Sequence, residues 1–193
     1  MQFDGTLRLC GIDYAILHGD CKIVLIKAGL GGDCYGGENK YLRMAQALRE
    51  RYGCSVIVAS NPHDGKSHVD ADSEAVNGYI ADRGLCAPEV YLFGNSEGCV
   101  KGLALANQIP CRRMVLVNMP LMINFHKTKR YIAVLPQTEI VAVYGERDPS
   151  ASYVPFLDGK FANLRVRTVA GADHNFNGMI QEFIDLASLL MQA

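Results

Sequence analysis

The sequence predicts an α/β fold: a three-layer α/β/α sandwich around a mainly parallel sheet of about seven to eight strands, with an antiparallel N-terminal hairpin. Two observations carry this. Short apolar runs rich in Val, Ile and Leu recur along the chain. Runs such as Ile23-Val24-Leu25-Ile26 and Met114-Val115-Leu116-Val117 are apolar throughout rather than alternating. Continuous runs suit strands covered on both faces, the condition inside a parallel sheet. Between them lie stretches of helical periodicity, so that strand and helix alternate from residue 22 onward. No repeat, low-complexity tract or Pro/Ser-rich linker interrupts the pattern, and residues 1–193 read as one domain.

The elements follow in order. Runs at 6–10 and 14–18 are separated by Gly11-Ile12-Asp13, which can turn, so the two form a hairpin on the sheet edge. The run 22–27 is the first strand of the alternating series. Residues 38–52 carry Tyr41, Leu42, Ala45 and Leu48 at helical spacing, and Gly53 is placed to end that helix. A strand at 55–59 precedes a helix at 72–83, whose acidic start suits the helix macrodipole and whose end is marked by Gly84. A strand at 90–93 leads into an Ala- and Leu-rich helix at 97–108, stopped before Pro110. Strands at 114–117, 140–144 and 164–169 follow. Residues 178–192 close the chain as a helix with Ile180, Phe183, Ile184, Ala187 and Leu190 on one stripe.

Composition excludes several functions. Nineteen Lys and Arg against 20 Asp and Glu leave a formal net charge of −1, far from the basic excess that nucleic-acid binding needs. The cluster His126, Lys127, Lys129 and Arg130 is too short to alter this and reads as a solvated loop or helix end. The seven cysteines are Cys10, Cys21, Cys34, Cys54, Cys86, Cys99 and Cys111. They show no C-x-x-C pair and no zinc spacing, so free thiols in a reducing compartment are expected. Cys10, Cys54 and Cys86 sit beside apolar residues, as small core residues do. Met1-Gln2-Phe3-Asp4-Gly5 lacks the charged-then-apolar character of a signal peptide, and no apolar run is long enough to span a bilayer. A cytoplasmic protein without metal or organic cofactor is the expectation.

Four stretches carry chemistry. The first is Val90-Tyr91-Leu92-Phe93-Gly94-Asn95-Ser96-Glu97-Gly98, a strand, then G-x-S-x-G, then a helix. The chain must reverse sharply for Ser96 to project from the turn, and small residues two before and two after let backbone approach closely. The plain alternative is a strand-to-helix turn in which Ser96 caps the helix. The second is Gly145-Glu146-Arg147-Asp148, directly after a strand. There Asp148 faces the crevice where open α/β sheets bind ligands and can accept a hydrogen bond from an imidazole. Asp148-Pro149 is equally a turn former. The third is Gly171-Ala172-Asp173-His174, between the last strand and the last helix. Its place in the chain lets His174 face the same sheet edge as Ser96, and imidazole titrates near neutrality. His18, His63, His68 and His126 read as surface or packing residues. The fourth is Lys27-Ala28-Gly29-Leu30-Gly31-Gly32-Asp33, a glycine-rich loop after a strand. It matches neither phosphate-binding glycine pattern. The backbone N–H groups of Leu30 and Glu97 are the expected oxyanion hole.

Glycine-rich loop, serine elbow, Asp and His, each after a strand and in that order, resemble the α/β-hydrolase family over nearly the whole chain. The resemblance implies the α/β-hydrolase fold. It also implies that Ser96 attacks an acyl carbonyl, His174 takes and returns the proton, and Asp148 holds His174. Three positions depart from the family pattern. Ala28 stands where the family often has His, Asn95 replaces a frequent His, and Asp173 competes with Asp148 as the acid.

Residues 118–139 occupy the position where similar enzymes insert a lid. Here the segment is short, with room for one helix near 121–126, so a large cap is excluded. Gly29, Met119, Met122 and Phe125 are candidates to line a pocket for a small-molecule acyl substrate. The alternative for the apolar residues 119–125 is packing on the sheet or against a partner. The resemblance is closest to compact, lid-poor carboxylesterases and thioesterases. It implies hydrolysis of small or medium acyl esters or thioesters. A peptidase or acyltransferase on the same residues, or a non-catalytic ligand-binding member of the fold, are the competing readings.

Overall fold

The computed structural model describes residues 2–192; Met1 and Ala193 lie outside the described residues. Its eight strands are β1 (Gly5–Leu9), β2 (Ile12–Leu17), β3 (Lys22–Lys27), β4 (Ser55–Ala59), β5 (Glu89–Asn95), β6 (Arg113–Val117), β7 (Glu139–Gly145) and β8 (Leu164–Val169). They form one sheet in the order β1-β2-β4-β3-β5-β6-β7-β8. β1 and β2 run antiparallel to each other, and β2 runs antiparallel to β4. Every other neighbouring pair is parallel. This is the α/β-hydrolase fold.

The helices are α1 (Lys40–Tyr52), α2 (Val69–Asp82), α3 (Glu97–Leu105), α4 (Leu121–Ala133) and α5 (Ile180–Asp185). Apolar residues of α2, α3 and α4 pack on one face of the sheet, and those of α1 and α5 on the other. β3 to β5 are buried along nearly their whole length, with Ile23, Val24, Leu25 and Ile26 inaccessible to solvent. That double coverage is why their sequences are apolar without alternation.

Several boundaries differ from the sequence reading, each for a local reason. The hairpin turns at Cys10-Gly11, not at Gly11-Ile12-Asp13, and Leu9 pairs with Ile12. Both turn residues have positive φ, 50° and 86°, the requirement of a two-residue turn matching strand twist. Cys10 is therefore exposed on the turn, and Cys86 is exposed too; of the three cysteines read as core residues only Cys54 is buried. The helix expected near 121–126 extends to Ala133, because Leu121, Thr128 and Ile132 continue a buried stripe along it. Its basic residues His126, Lys127 and Arg130 line a surface depression. α2 begins at Val69, three residues early, and the last helix is split into α5 and a 3-10 turn at Leu186–Met191. Among the described residues, no helix is long and apolar enough to cross a membrane.

Candidate active site

The register of the parallel strands decides which residues meet. Lys27 pairs with Gly94, Asn95 with Val117 and Gly145 with Val169, so β3, β5, β6, β7 and β8 end along one rim. The loops that leave this rim carry Gly29, Ser96, Asn118, Asp148 and His174.

Ser96 sits at φ 52°, ψ −123°, a conformation that costs a side-chain-bearing residue about 1–3 kcal/mol. Its surroundings hold it there. Its N–H donates to the Val117 carbonyl at 2.8 Å, and its own carbonyl accepts from Cys99 N–H at 2.9 Å. A Cβ on Gly94 would lie 2.8 Å from Cys99 Cα, and one on Gly98 only 2.4 Å from the Lys27 carbonyl oxygen. Both glycines of G-x-S-x-G are thus required by backbone contact, one by the helix after the elbow and one by the neighbouring strand.

Ser96 Oγ lies 3.0 Å from His174 Nε2, and His174 Nδ1 lies 2.5 Å from Asp148 Oδ2. With the carboxylate accepting at Nδ1, the imidazole carries its proton there, and Nε2 accepts from the serine hydroxyl. Asp148 is buried, while the His174 side chain is 40% exposed. The second oxygen of Asp148 accepts from Ser150 N–H at 2.6 Å and caps a 3-10 turn at Pro149–Phe156. The turn-forming and imidazole-binding readings of Asp148 therefore coexist. Asp173 is occupied within its own loop, accepting from Asn175 N–H, Asn177 N–H and Asn177 Nδ2. Those three donors hold its carboxyl below the usual range. His18 stacks on Tyr79, and His68 pairs with Asp64 within the loop that follows β4.

The glycine-rich turn lies against the serine. A Cβ on Gly29 would contact Ser96 Cβ at 3.4 Å. The turn is gripped by Asn61, at the end of β4. Asn61 N–H donates to the Gly32 carbonyl at 2.8 Å, and its carbonyl accepts from Gly31 N–H at 2.7 Å. Its side-chain Nδ2 donates to the Ala28 carbonyl at 3.1 Å, and its Oδ1 accepts from Lys101 Nζ at 2.6 Å. Below, Lys27 Nζ donates to Asp72 Oδ1 at 2.8 Å and to the Ser60 carbonyl at 3.0 Å, with both side chains of the pair 1% exposed. Tyr14 completes the pair by donating its hydroxyl to the same Asp72 oxygen. Burial pushes the Lys27 ammonium down, against the pull of Asp72. The N–H groups of Leu30 and Glu97 have no acceptor among the described residues; that of Glu97 is the first of α3, where helices leave N–H groups free.

A depression of about 360 Å³ opens at Ser96 and His174, lined by Gly29, Leu30, Gly36, Lys40, Tyr41 and Asn95 among others. Gly29 borders it. Met119, Met122 and Phe125 do not. Met119 is fully buried, with Thr128 Oγ1 3.7 Å from its sulfur, as part of the sheet packing. Met122 and Phe125 border a separate depression with Arg130 and Tyr153, and Phe125 packs on Tyr153 and Phe156. For Met122 and Phe125 the reason is the direction of α4, whose buried stripe begins at Leu121 and leaves these two residues off it.

Three residues at this rim escape a reading by motif. Asn118, at φ 51°, donates its Nδ2 to the His174 carbonyl at 2.8 Å and accepts from Gly145 N–H at 2.8 Å, so it ties the histidine loop to the end of β7. Tyr41 Oη accepts from Asn95 Nδ2 at 3.0 Å and from Gly29 N–H at 3.4 Å. Asn61 is the third. A polar residue directly after an apolar strand was the available signal for Asn118 and, one residue further along, for Asn61. Among the described residues, no group of three or more His, Cys, Asp or Glu side chains is placed to hold a metal ion.

No family model matches the sequence, and no curated protein resembles it in sequence. Solved structures resemble it in fold. An α/β serine hydrolase homologue from Coxiella burnetii superposes with a TM-score of 0.75 at 16% identity, over 100% of this chain and 99% of its own. A dienelactone hydrolase from Anabaena variabilis gives 0.76 at 16% identity, over 99% and 96%. An α/β serine hydrolase without a lid from Xanthomonas campestris gives 0.68 at 17%, over 98% and 94%.

Proposed function

We propose that the protein is a serine hydrolase that cleaves small or medium acyl esters or thioesters through Ser96, His174 and Asp148. The observation that carries this is the unbroken chain of contacts from Ser96 Oγ through the imidazole to the Asp148 carboxylate. The fold shared with structures described as serine hydrolases supports the same reading.

In the proposed reaction Ser96 Oγ attacks the acyl carbonyl while its proton passes to His174 Nε2. Asp148 keeps the other ring proton on Nδ1 and stabilises the imidazolium. The carbonyl oxygen becomes an oxyanion and receives the N–H groups of Leu30 and Glu97. One such donor is worth about 2.7–4 kcal/mol in the transition state. The imidazolium then protonates the departing alkoxide or thiolate, leaving an acyl group on Ser96. Water loses a proton to His174, attacks that ester, and the acid leaves as Ser96 recovers its proton. Small acyl substrates suit a shallow depression that no part of residues 118–139 lines. Seven free thiols suit a reducing compartment such as the cytoplasm.

A fluorophosphonate probe tests the reading. The wild-type protein gains one phosphonyl adduct by mass, and Ser96→Ala gains none. A folded wild-type protein that stays unlabelled overturns the proposal.

A further inference from the structure

The depression at Ser96 is lined by one lysine, Lys40, and by no carboxylate-bearing residue. Lys40 is half-buried, yet no described carboxylate lies within 4 Å of its ammonium. It opens α1, where the helix macrodipole already presents positive charge, and the first turn of that helix has no acidic residue. A lysine there is placed against both burial and the dipole. Burial alone pushes its ammonium down.

The side chain is nevertheless held. Its stem packs so closely on Gly36 that a Cβ there would lie 3.0 Å from Lys40 Cγ. Its Nζ sits 4.4 Å from the centroid of Phe183 and 5.3 Å from that of Tyr41. Cation–π contact orients an ammonium and leaves its N–H donors free for a ligand's acceptor. A held, partly desolvated cation beside a candidate nucleophile, without a counter-charge of its own, is suited to receive one from a ligand.

We propose that the site takes anionic substrates, and that Lys40 receives a carboxylate carried by the ester or thioester being cleaved. This rests on reading Ser96, His174 and Asp148 as hydrolytic machinery. The chemistry of bond cleavage is unchanged; Lys40 contributes orientation and attraction. The carboxylate can sit on the acyl side or on the leaving group, since the depression borders both the glycine-rich turn and the histidine loop.

The test compares matched esters. Mono-4-nitrophenyl adipate and its methyl ester differ only by a charge on the acyl side. 4-Acetoxybenzoate and methyl 4-acetoxybenzoate place the charge difference on the leaving group, each kcat/KM being divided by that ester's own hydroxide-catalysed rate to remove the difference in leaving-group acidity. At low ionic strength kcat/KM for the charged member of at least one pair exceeds its neutral partner by about tenfold, the scale expected of one partly screened charge contact. The ratio falls as salt is raised. Lys40→Met brings it close to one, Lys40→Arg preserves it, and Lys40→Glu inverts it. Equal rates for charged and neutral members of both pairs overturn this inference while leaving the hydrolase reading in place. So does a Lys40→Met protein whose ratio matches the wild type. Absence of turnover of all four esters, together with no fluorophosphonate labelling, overturns both.

Discussion

Asn61→Ala should loosen the glycine-rich turn without unseating it. Asn61 holds the turn by three hydrogen bonds, two through its backbone and one through its side-chain Nδ2, while its Oδ1 accepts from Lys101 of α3. The substitution removes the side-chain pair, freeing the Ala28 carbonyl and leaving Lys101 Nζ with only the Lys66 carbonyl. The backbone pair to Gly31 and Gly32 remains. Outright loss of one oxyanion donor costs about 2.7–4 kcal/mol. A donor that is mispositioned for part of the time should forfeit roughly half of that. The expected fall in kcat is therefore about ten- to thirtyfold, or about 1.4–2 kcal/mol. KM should change by less than about threefold, because the turn's grip acts on the oxyanion and not on ground-state contacts. Steady-state hydrolysis of 4-nitrophenyl acetate measures both constants. Inhibition by a phenylboronic acid, whose tetrahedral adduct needs the same N–H groups, should weaken in step with kcat. Breaking buried hydrogen bonds also costs about 1–3 kcal/mol of stability, so thermal melting must show that the variant is folded at the assay temperature. Lys101→Met should move kcat the same way by a smaller factor. A folded Asn61→Ala protein with wild-type kcat and boronate affinity would refute the reasoning.

Two further variants separate close readings. Asp148→Asn keeps a side chain that can cap the Pro149–Phe156 turn, yet offers the imidazole the wrong partner; turnover should fall by about 10⁴-fold with the fold intact. Asp173→Asn should cost only a few-fold in the same assay, and a larger loss there than at Asp148 would reassign the acid. Tyr144 Oη is buried with no hydrogen-bond partner among the described residues, so Tyr144→Phe should stabilise the protein by about 1 kcal/mol and raise Tm by about 2–4 °C, ester hydrolysis being unaffected. A lowered Tm would show that the hydroxyl has a partner, such as a bound water.

What could be read ahead of the coordinates follows from how local each signal is. Strands β3 to β6 announce themselves because burial on both faces demands apolar residues in sequence, and Ser96 because the spacing of the elbow's glycines is local, although only Gly94 is forced by a neighbour in the chain and Gly98 by the end of β3. Asn61, Tyr41 and Asn118 were not legible as site residues from a motif, since their partners lie 12 to 56 positions away and no spacing rule connects them. Lys40 stood inside a helical pattern and looked like any exposed lysine. Met119, Met122 and Phe125 were candidates for the pocket because they fall in the segment where similar enzymes insert a lid, with packing on the sheet or against a partner as the alternative. Met119 packs in the core, and the direction in which α4 departs, set by its buried stripe from Leu121 to Ile132, turned Met122 and Phe125 elsewhere. The end of that helix was missed because Thr128, a polar residue, is part of the buried stripe.

The exposure of the His174 ring has a consequence for the fate of an acylated Ser96. Bulk solvent reaches the imidazole with no segment having to swing aside, so the second half of the proposed reaction is not gated. Water and any alcohol or thiol in the medium would compete for the acyl group by concentration and nucleophilicity alone. Water should dominate, and added methanol should divert product in proportion to its amount.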